Sequence, residues 1–163
     1  MTLNNIPNAA RNWMRQAIDL ALENVRSEGG GPFGALVVKD GRLIATGVNV
    51  VTNSNDPTAH AEVTAIRNAC RALGSFQLSG CEIFTSCEPC PMCLGAIYWA
   101  RPERFYFACS REDAAAYGFE DAFIYEELQR QPEERAINGQ RLTSEERLLP
   151  FEQWKRSQAK VPY

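Results

Sequence analysis

Apolar side chains recur at helical spacing between Ala9 and Arg26, at Trp13, Ala17, Leu20, Ala21 and Val25, with Asn24 as a polar exception, and Gly29, Gly30 and Gly31 end the run. A first amphipathic helix follows from this pattern. Phe33 to Lys39 reads as a strand, Asp40 and Gly41 form the dipeptide of a two-residue hairpin turn, and Leu43 to Val50 supplies the returning strand. Asn53 to Pro57 is turn chemistry, and His60 to Leu73 has the apolar period of a second helix ending near Gly74. Cys81 to Ser86 is a buried strand, Pro91 to Ala100 a third helix, and Arg104 to Cys109 a further strand after Pro102. Beyond it the pattern weakens. Asp113 to Leu128 is helical in parts, Gln131 to Leu142 is irregular or a short strand, and Leu148 to Lys160 closes the chain as a helix.

Helix and strand alternate, which favours α/β layering, and no repeat, low-complexity stretch or Gly/Ser linker divides the chain, so one domain is expected over residues 1–163. At 163 residues, 45% hydrophobic and 23% charged, the composition is that of a globular protein and excludes disordered and fibrous classes. The net charge of -3 and the scattered bases, with only Lys155, Arg156 and Lys160 loosely grouped, argue against nucleic acid as the main partner. A small neutral substrate is easier to accommodate. No apolar window is long enough to span a membrane and Met1 to Ala10 has no export pattern, so a cytoplasmic protein is expected. Six cysteines in that setting are not a disulfide framework, and their spacing has to be read for metal.

The single histidine, His60, stands two residues before Glu62, and Cys87-Glu88-Pro89-Cys90-Pro91-Met92-Cys93 follows about thirty residues later. Catalytic zinc takes three nitrogen or sulfur ligands and leaves a fourth position for water, a count that one His and two Cys satisfy. Cys87/Cys90 and Cys90/Cys93 have the same spacing and compete. The second pair is favoured, because Pro89 and Pro91 suit a helix that begins at Cys90. A closed, inert site of His60 with all three cysteines is the alternative. Glu62, which such a site does not require, speaks for an open one in which it carries protons beside a single zinc ion.

His60-Ala61-Glu62 with Pro89-Cys90-Pro91-Met92-Cys93 resembles the signature of the cytidine deaminase superfamily. The likeness extends through Gly31-Pro32-Phe33-Gly34-Ala35 and Asp56-Pro57-Thr58-Ala59. Asn49, Thr52 to Asp56, Gly118-Phe119-Glu120-Asp121 and Tyr163 are similar to the small bacterial guanine deaminases in particular. That resemblance implies a three-layer α/β/α fold with a mixed five-stranded sheet. It also implies a homodimer in which the C-terminal segment, about residues 130–163, crosses to the partner's site. It implies zinc-dependent hydrolysis of guanine to xanthine and ammonia, with Asn49 hydrogen-bonding the purine, Phe33 packing on its ring, and Asp121 and Tyr163 completing the pocket.

Asp121 has independent chemical sense. Guanine presents neighbouring N1–H and 2-amino donors that suit a carboxylate, and leaving the acceptor unpaired against another base costs about 1–3 kcal/mol. Glu120, Glu126 and Glu127 are further acids of the same segment. The rival readings are a deaminase of another aminated ring, whether tRNA adenosine, cytosine or a triazine such as ammeline, and a zinc-stabilised binding module without turnover. The tRNA adenosine deaminases share Asp56 to Glu62 and Glu88 to Cys93, but the acidic C-terminal helix with Glu145, Glu146 and Glu152 lacks the basic face an RNA loop needs.

Overall fold

A computed structural model describes residues 8–163. The stretch before Asn8, on which the expectation about export rests in part, lies outside the described residues. The chain divides into two compact units, one ending at Ala122 and the other Phe123–Tyr163.

The first unit opens with α1 (Asn8–Arg26), followed by β1 (Gly34–Lys39) and β2 (Arg42–Val48). Asp40 and Gly41 both take positive φ, 49° and 71°, as the primed hairpin turn requires, and Asp-Gly meets that requirement at low cost. After the one-turn helix α2 (Val51–Ser54) come α3 (Ala61–Leu73), β3 (Cys81–Cys87), α4 (Pro91–Ala100), β4 (Arg104–Cys109) and α5 (Arg111–Ala115). The sheet is mixed, in the order β2-β1-β3-β4, with β1 antiparallel to both neighbours and β3 parallel to β4.

The central strands are apolar on both faces because helices cover both. On one face Ala35 and Val37 of β1 and Cys81 and Ile83 of β3 meet Ala61, Ala65 and Ala69 of α3 with Ile97 and Ala100 of α4. On the other, Leu36, Val38 and Phe84 meet Ala10 and Ala17 of α1, with Trp13, Met14 and Leu20 at the margin. Phe84 also stacks on Tyr106 of β4 at 4.7 Å between centroids. Small residues on α3 let that helix lie close to the sheet. This proximity fixes where its first turn stands.

The second unit contains most of α6 (Ala122–Gln129), two 3-10 turns, Pro132–Glu134 and Glu145–Leu148, and α7 (Leu149–Arg156). The expected fifth strand is therefore corrected: the described residues form four. Gln131 to Leu142 cannot supply it, because Pro132 lacks a ladder donor and the apolar residues there, Ile137 and Leu142, are 91% and 92% exposed. The closing helix is also shorter than its periodicity predicts, ending at Arg156 instead of reaching Lys160.

Candidate metal and active site

Two helix starts make the site. His60 is the N-cap of α3 in extended backbone, and its side chain makes no cap hydrogen bond, so the imidazole is available for other partners. Cys90 is the N-cap of α4, with Pro91 in the first helical turn where a missing N–H costs nothing. Both helices lie on the same face of the sheet, and their N-termini bring His60 Nδ1 to 3.6 Å from Cys90 Sγ and 3.6 Å from Cys93 Sγ.

Those separations test the fit to zinc. Tetrahedral bonds of about 2.3 Å to sulfur and about 2.05 Å to nitrogen put the two donor atoms about 3.6 Å apart. The observed cluster has that size, and its three donor atoms all lie within 4.8 Å of one another. His60, Cys90 and Cys93 thus fit one zinc ion with a position left open. Cys87 does not join them: its thiol donates to Ser110 O at 3.7 Å, and burial pushes its pKa up to about 12. The closed site of three cysteines loses its fourth ligand.

The electrostatics suit a cation. The neighbouring Cys93 thiol is the main cause that lowers the Cys90 pKa to about 4, with His60 assisting. The closeness of Cys90, with burial, pushes Cys93 up, so the pair holds one proton that a metal would displace. The hydrogen bond to Cys90 raises His60 as well. Glu62 is only 6% exposed, and its Oε2 accepts from the Cys93 thiol at 3.4 Å. Burial is the main cause that raises its carboxyl above the usual range.

The remaining expected residues fall into two groups. In the first unit, Phe33 is half-buried and meets Phe119 edge-on at 4.9 Å, with an interplanar angle of 88°. Asn49 is buried just beyond β2, donating its N–H to Phe33 O at 3.1 Å. Asp121 is half-buried; burial first and the negative charge of Cys90 second raise its carboxyl, and its own charge is felt at His60. Glu120 is exposed. In the second unit, Tyr163 and Glu126 are exposed, and Glu127 pairs with Arg130 at 2.9 Å and accepts from the Ala136 N–H.

Three contributors have roles that the motifs do not assign. Phe119 stands within the Gly118-Phe119-Glu120-Asp121 likeness, which gives it no role of its own. Glu88 accepts from the Arg111 guanidinium at 2.6 Å and from the Arg111 N–H at 3.2 Å, joining the loop before Cys90 to the start of α5. Asn24, the polar exception in α1, is buried. Only the last carried a signal, its place on an apolar face.

Residues 7–109 match the family described as the cytidine and deoxycytidylate deaminase zinc-binding region. The chain belongs to this family of zinc-binding deaminases. Among its relatives, the guanine deaminase of Bacillus subtilis is 55% identical over 151 residues, which is 93% of this chain and 97% of that protein. The X-ray structure of a Bacillus subtilis guanine deaminase superposes with a TM-score of 0.93 at 52% identity, covering 97% of this chain and 99% of the other. A tRNA-specific adenosine deaminase of Agrobacterium fabrum is 46% identical over 93 residues, 55% of this chain and 61% of that protein. A crystal structure of a protein in complex with 8-azaguanine matches with a TM-score of 0.67 at 35% identity, covering 72% of this chain and 69% of that one.

Proposed function

We propose that this chain deaminates guanine by zinc-dependent hydrolysis, giving xanthine and ammonia. The observation that carries the chemistry is Glu62, buried beside a three-ligand metal cluster and hydrogen-bonded to the ligand Cys93. His60, Cys90 and Cys93 would hold a zinc ion, which would supply Lewis acidity and lower the pKa of water to about 7. Glu62 accepts a proton from the water that attacks C2, delivers it to the adjacent ring nitrogen, then passes the remaining proton of that water to the amine as the C2–N bond breaks and the C2 carbonyl forms. A carboxyl whose proton affinity is raised by burial suits both directions of transfer.

The choice of guanine is supported by the likeness to the Bacillus subtilis guanine deaminase over nearly the whole of both chains, whereas the adenosine deaminase likeness spans about half of this one. In this reading Asn49 donates to an acceptor on the base, Phe33 and Phe119 form an aromatic wall, and Asp121 accepts from N1–H and the 2-amino group. Tyr163 covers the site in a cytoplasmic homodimer, with residues 130–163 exchanged between subunits. Apolar side chains left exposed on α4, Tyr98 at 74% and Trp99 at 65%, support association. Glu126 and Glu127 are the weaker candidates for a second proton carrier. Among the described residues no helix is long and apolar enough to cross a membrane.

The test is ammonia release from guanine, adenine, cytosine, cytidine and ammeline, with a tRNA anticodon stem-loop as a further arm. Guanine is expected to be the fastest substrate. An inert guanine beside another productive base overturns the substrate assignment and leaves the zinc chemistry in place.

A further inference from the structure

Asn24 sits on α1, an element that carries none of the residues assigned to the site, yet it is 5% exposed and both hydrogens of its amide are used. Nδ2 donates to Asn49 O at 2.8 Å and to Gly31 O at 2.9 Å. A buried amide on an apolar helix face is costly unless satisfied, so its placement demands partners, and these two carbonyls provide them. Around the same carbonyl the chain is folded tightly: Gly30 takes a φ of 148°, and a Cβ there would collide with Asn49 O. A side chain at Gly30 would prevent the loop from closing on Asn49, and a Cβ at Gly29 would collide with Asn24 Oδ1.

Asn49 is held at three atoms by this arrangement and its neighbours. Its N–H donates to Phe33 O, its carbonyl accepts from Asn24, and its Oδ1 accepts from the Val51 N–H at 3.3 Å. Val51 N–H can only donate, which identifies the side-chain atom it meets as oxygen. Among the described residues no hydrogen bond engages Asn49 Nδ2. The group Asn49 has left to offer is a donor.

We propose that Asn24 is a positioning residue for substrate binding, holding Asn49 so that it presents a hydrogen-bond donor to an acceptor atom of the base. The inference rests on the reading of Asn49 as a substrate contact. Asn24 acts in binding and leaves the metal chemistry untouched, because the hydrogen bond it supports exists equally before and during the reaction. A loss should therefore enter KM and spare kcat.

The experiment uses the full zinc-loaded chain and the base that the unmutated enzyme deaminates fastest, so a wrong guanine assignment changes the substrate and not the test. Asn24→Ala is expected to raise KM about tenfold, with kcat held within about twofold and zinc per chain unchanged. In an Asn49→Ala background the same change should add less than about twofold, because its route of action is gone. Asn24→Ser, which keeps one donor and fills more of the space, is read by the same criteria where Asn24→Ala does not fold. An unchanged KM, an equal cost in both backgrounds, or a fall in kcat alone overturns the proposal. If Asn49→Ala itself leaves kcat/KM unchanged, the reading of Asn49 fails and the proposal fails with it; if Asn49→Ala is costly and Asn24→Ala is not, only the role of Asn24 is refuted.

Discussion

Replacing Gly47 with alanine tests whether the close seat of α3 on β2 sets the geometry of the site. Gly47 pairs with Ala35 across the hairpin and faces α3. A Cβ added there runs into Ala61 O and Ala65 N and lies 2.9 Å from Ala65 Cα. These are backbone atoms and cannot turn aside as a flexible side chain would. Carbon atoms in a packed interior stand about 3.5–4.0 Å apart, so the start of α3 must retreat by roughly 0.6–1 Å. Its first turn carries Glu62, and His60 immediately precedes it.

Two consequences can be measured on Gly47→Ala. Overpacking of this kind costs about 1–3 kcal/mol, and for a chain of this size that lowers the melting temperature by roughly 2–12 °C. A displacement near 1 Å at a catalytic group costs on the order of 10²-fold in turnover. Gly95→Ala is the control. A Cβ at Gly95, inside α4, meets nothing within 4 Å, so the same chemical change should stabilise by up to about 1 kcal/mol through helix propensity and leave activity alone. Thermal unfolding by circular dichroism, zinc per chain and steady-state ammonia release distinguish the two variants. If Gly47→Ala melts within about 1 °C of the parent and turns over normally, the close contact is not what positions the site.

Three outcomes follow from the electrostatics and the donor set. Glu62→Gln should retain zinc and lose about 10²- to 10⁴-fold in kcat; a variant with full activity would exclude Glu62 as the proton carrier. In the metal-free protein the same substitution has a pH signature, because burial raises the folded-state pKa of Glu62. Ionisation therefore destabilises the fold as pH rises through that raised value, so Glu62→Gln should melt higher than the parent at pH 8, and the advantage should shrink as pH falls toward 4.5. A gain that grew toward acid would show the opposite sign. Chelation should abolish turnover and lower the melting temperature while helical circular dichroism persists, since none of the three ligands belongs to the two apolar clusters that hold the sheet. Zinc should restore both, and activity persisting in protein shown to be metal-free would refute the assignment.

How far these features can be read in advance depends on the range of the interaction that makes them. The hairpin at Asp40-Gly41 and the helix from Pro91 are local, governed by backbone preference within a few residues, and both form where their chemistry indicates. The choice of Cys90 over Cys87 was local too, because Pro91 fixes a helix start that puts Cys90 and Cys93 on the same side as His60 and leaves Cys87 in β3 facing Ser110. The meeting of His60 with two cysteines thirty residues away is a long-range contact, but zinc's demand for three ligands made it inferable without knowledge of the sheet. Strand number had no comparable constraint: nothing local forces Gln131 to Leu142 to pair or forbids it except Pro132 and the sparseness of apolar side chains.

Asn24 marks the boundary between the two cases. Its position on an apolar helix face announced that some polar partner must be buried with it, since an unsatisfied amide there would cost about 1–3 kcal/mol. Its sequence context could not say which. The partners are Gly31 O in the glycine loop after α1 and Asn49 O just past the end of β2, and the packing of α1 against the sheet brings the latter within reach. Glu88 follows the same logic, being bound to Arg111 through the parallel pairing of β3 with β4. A polar side chain interrupting an apolar pattern is thus a demand visible in one dimension and answered in three, and in this chain the demand at Asn24 is met by the backbone of Asn49, the residue read as facing the substrate.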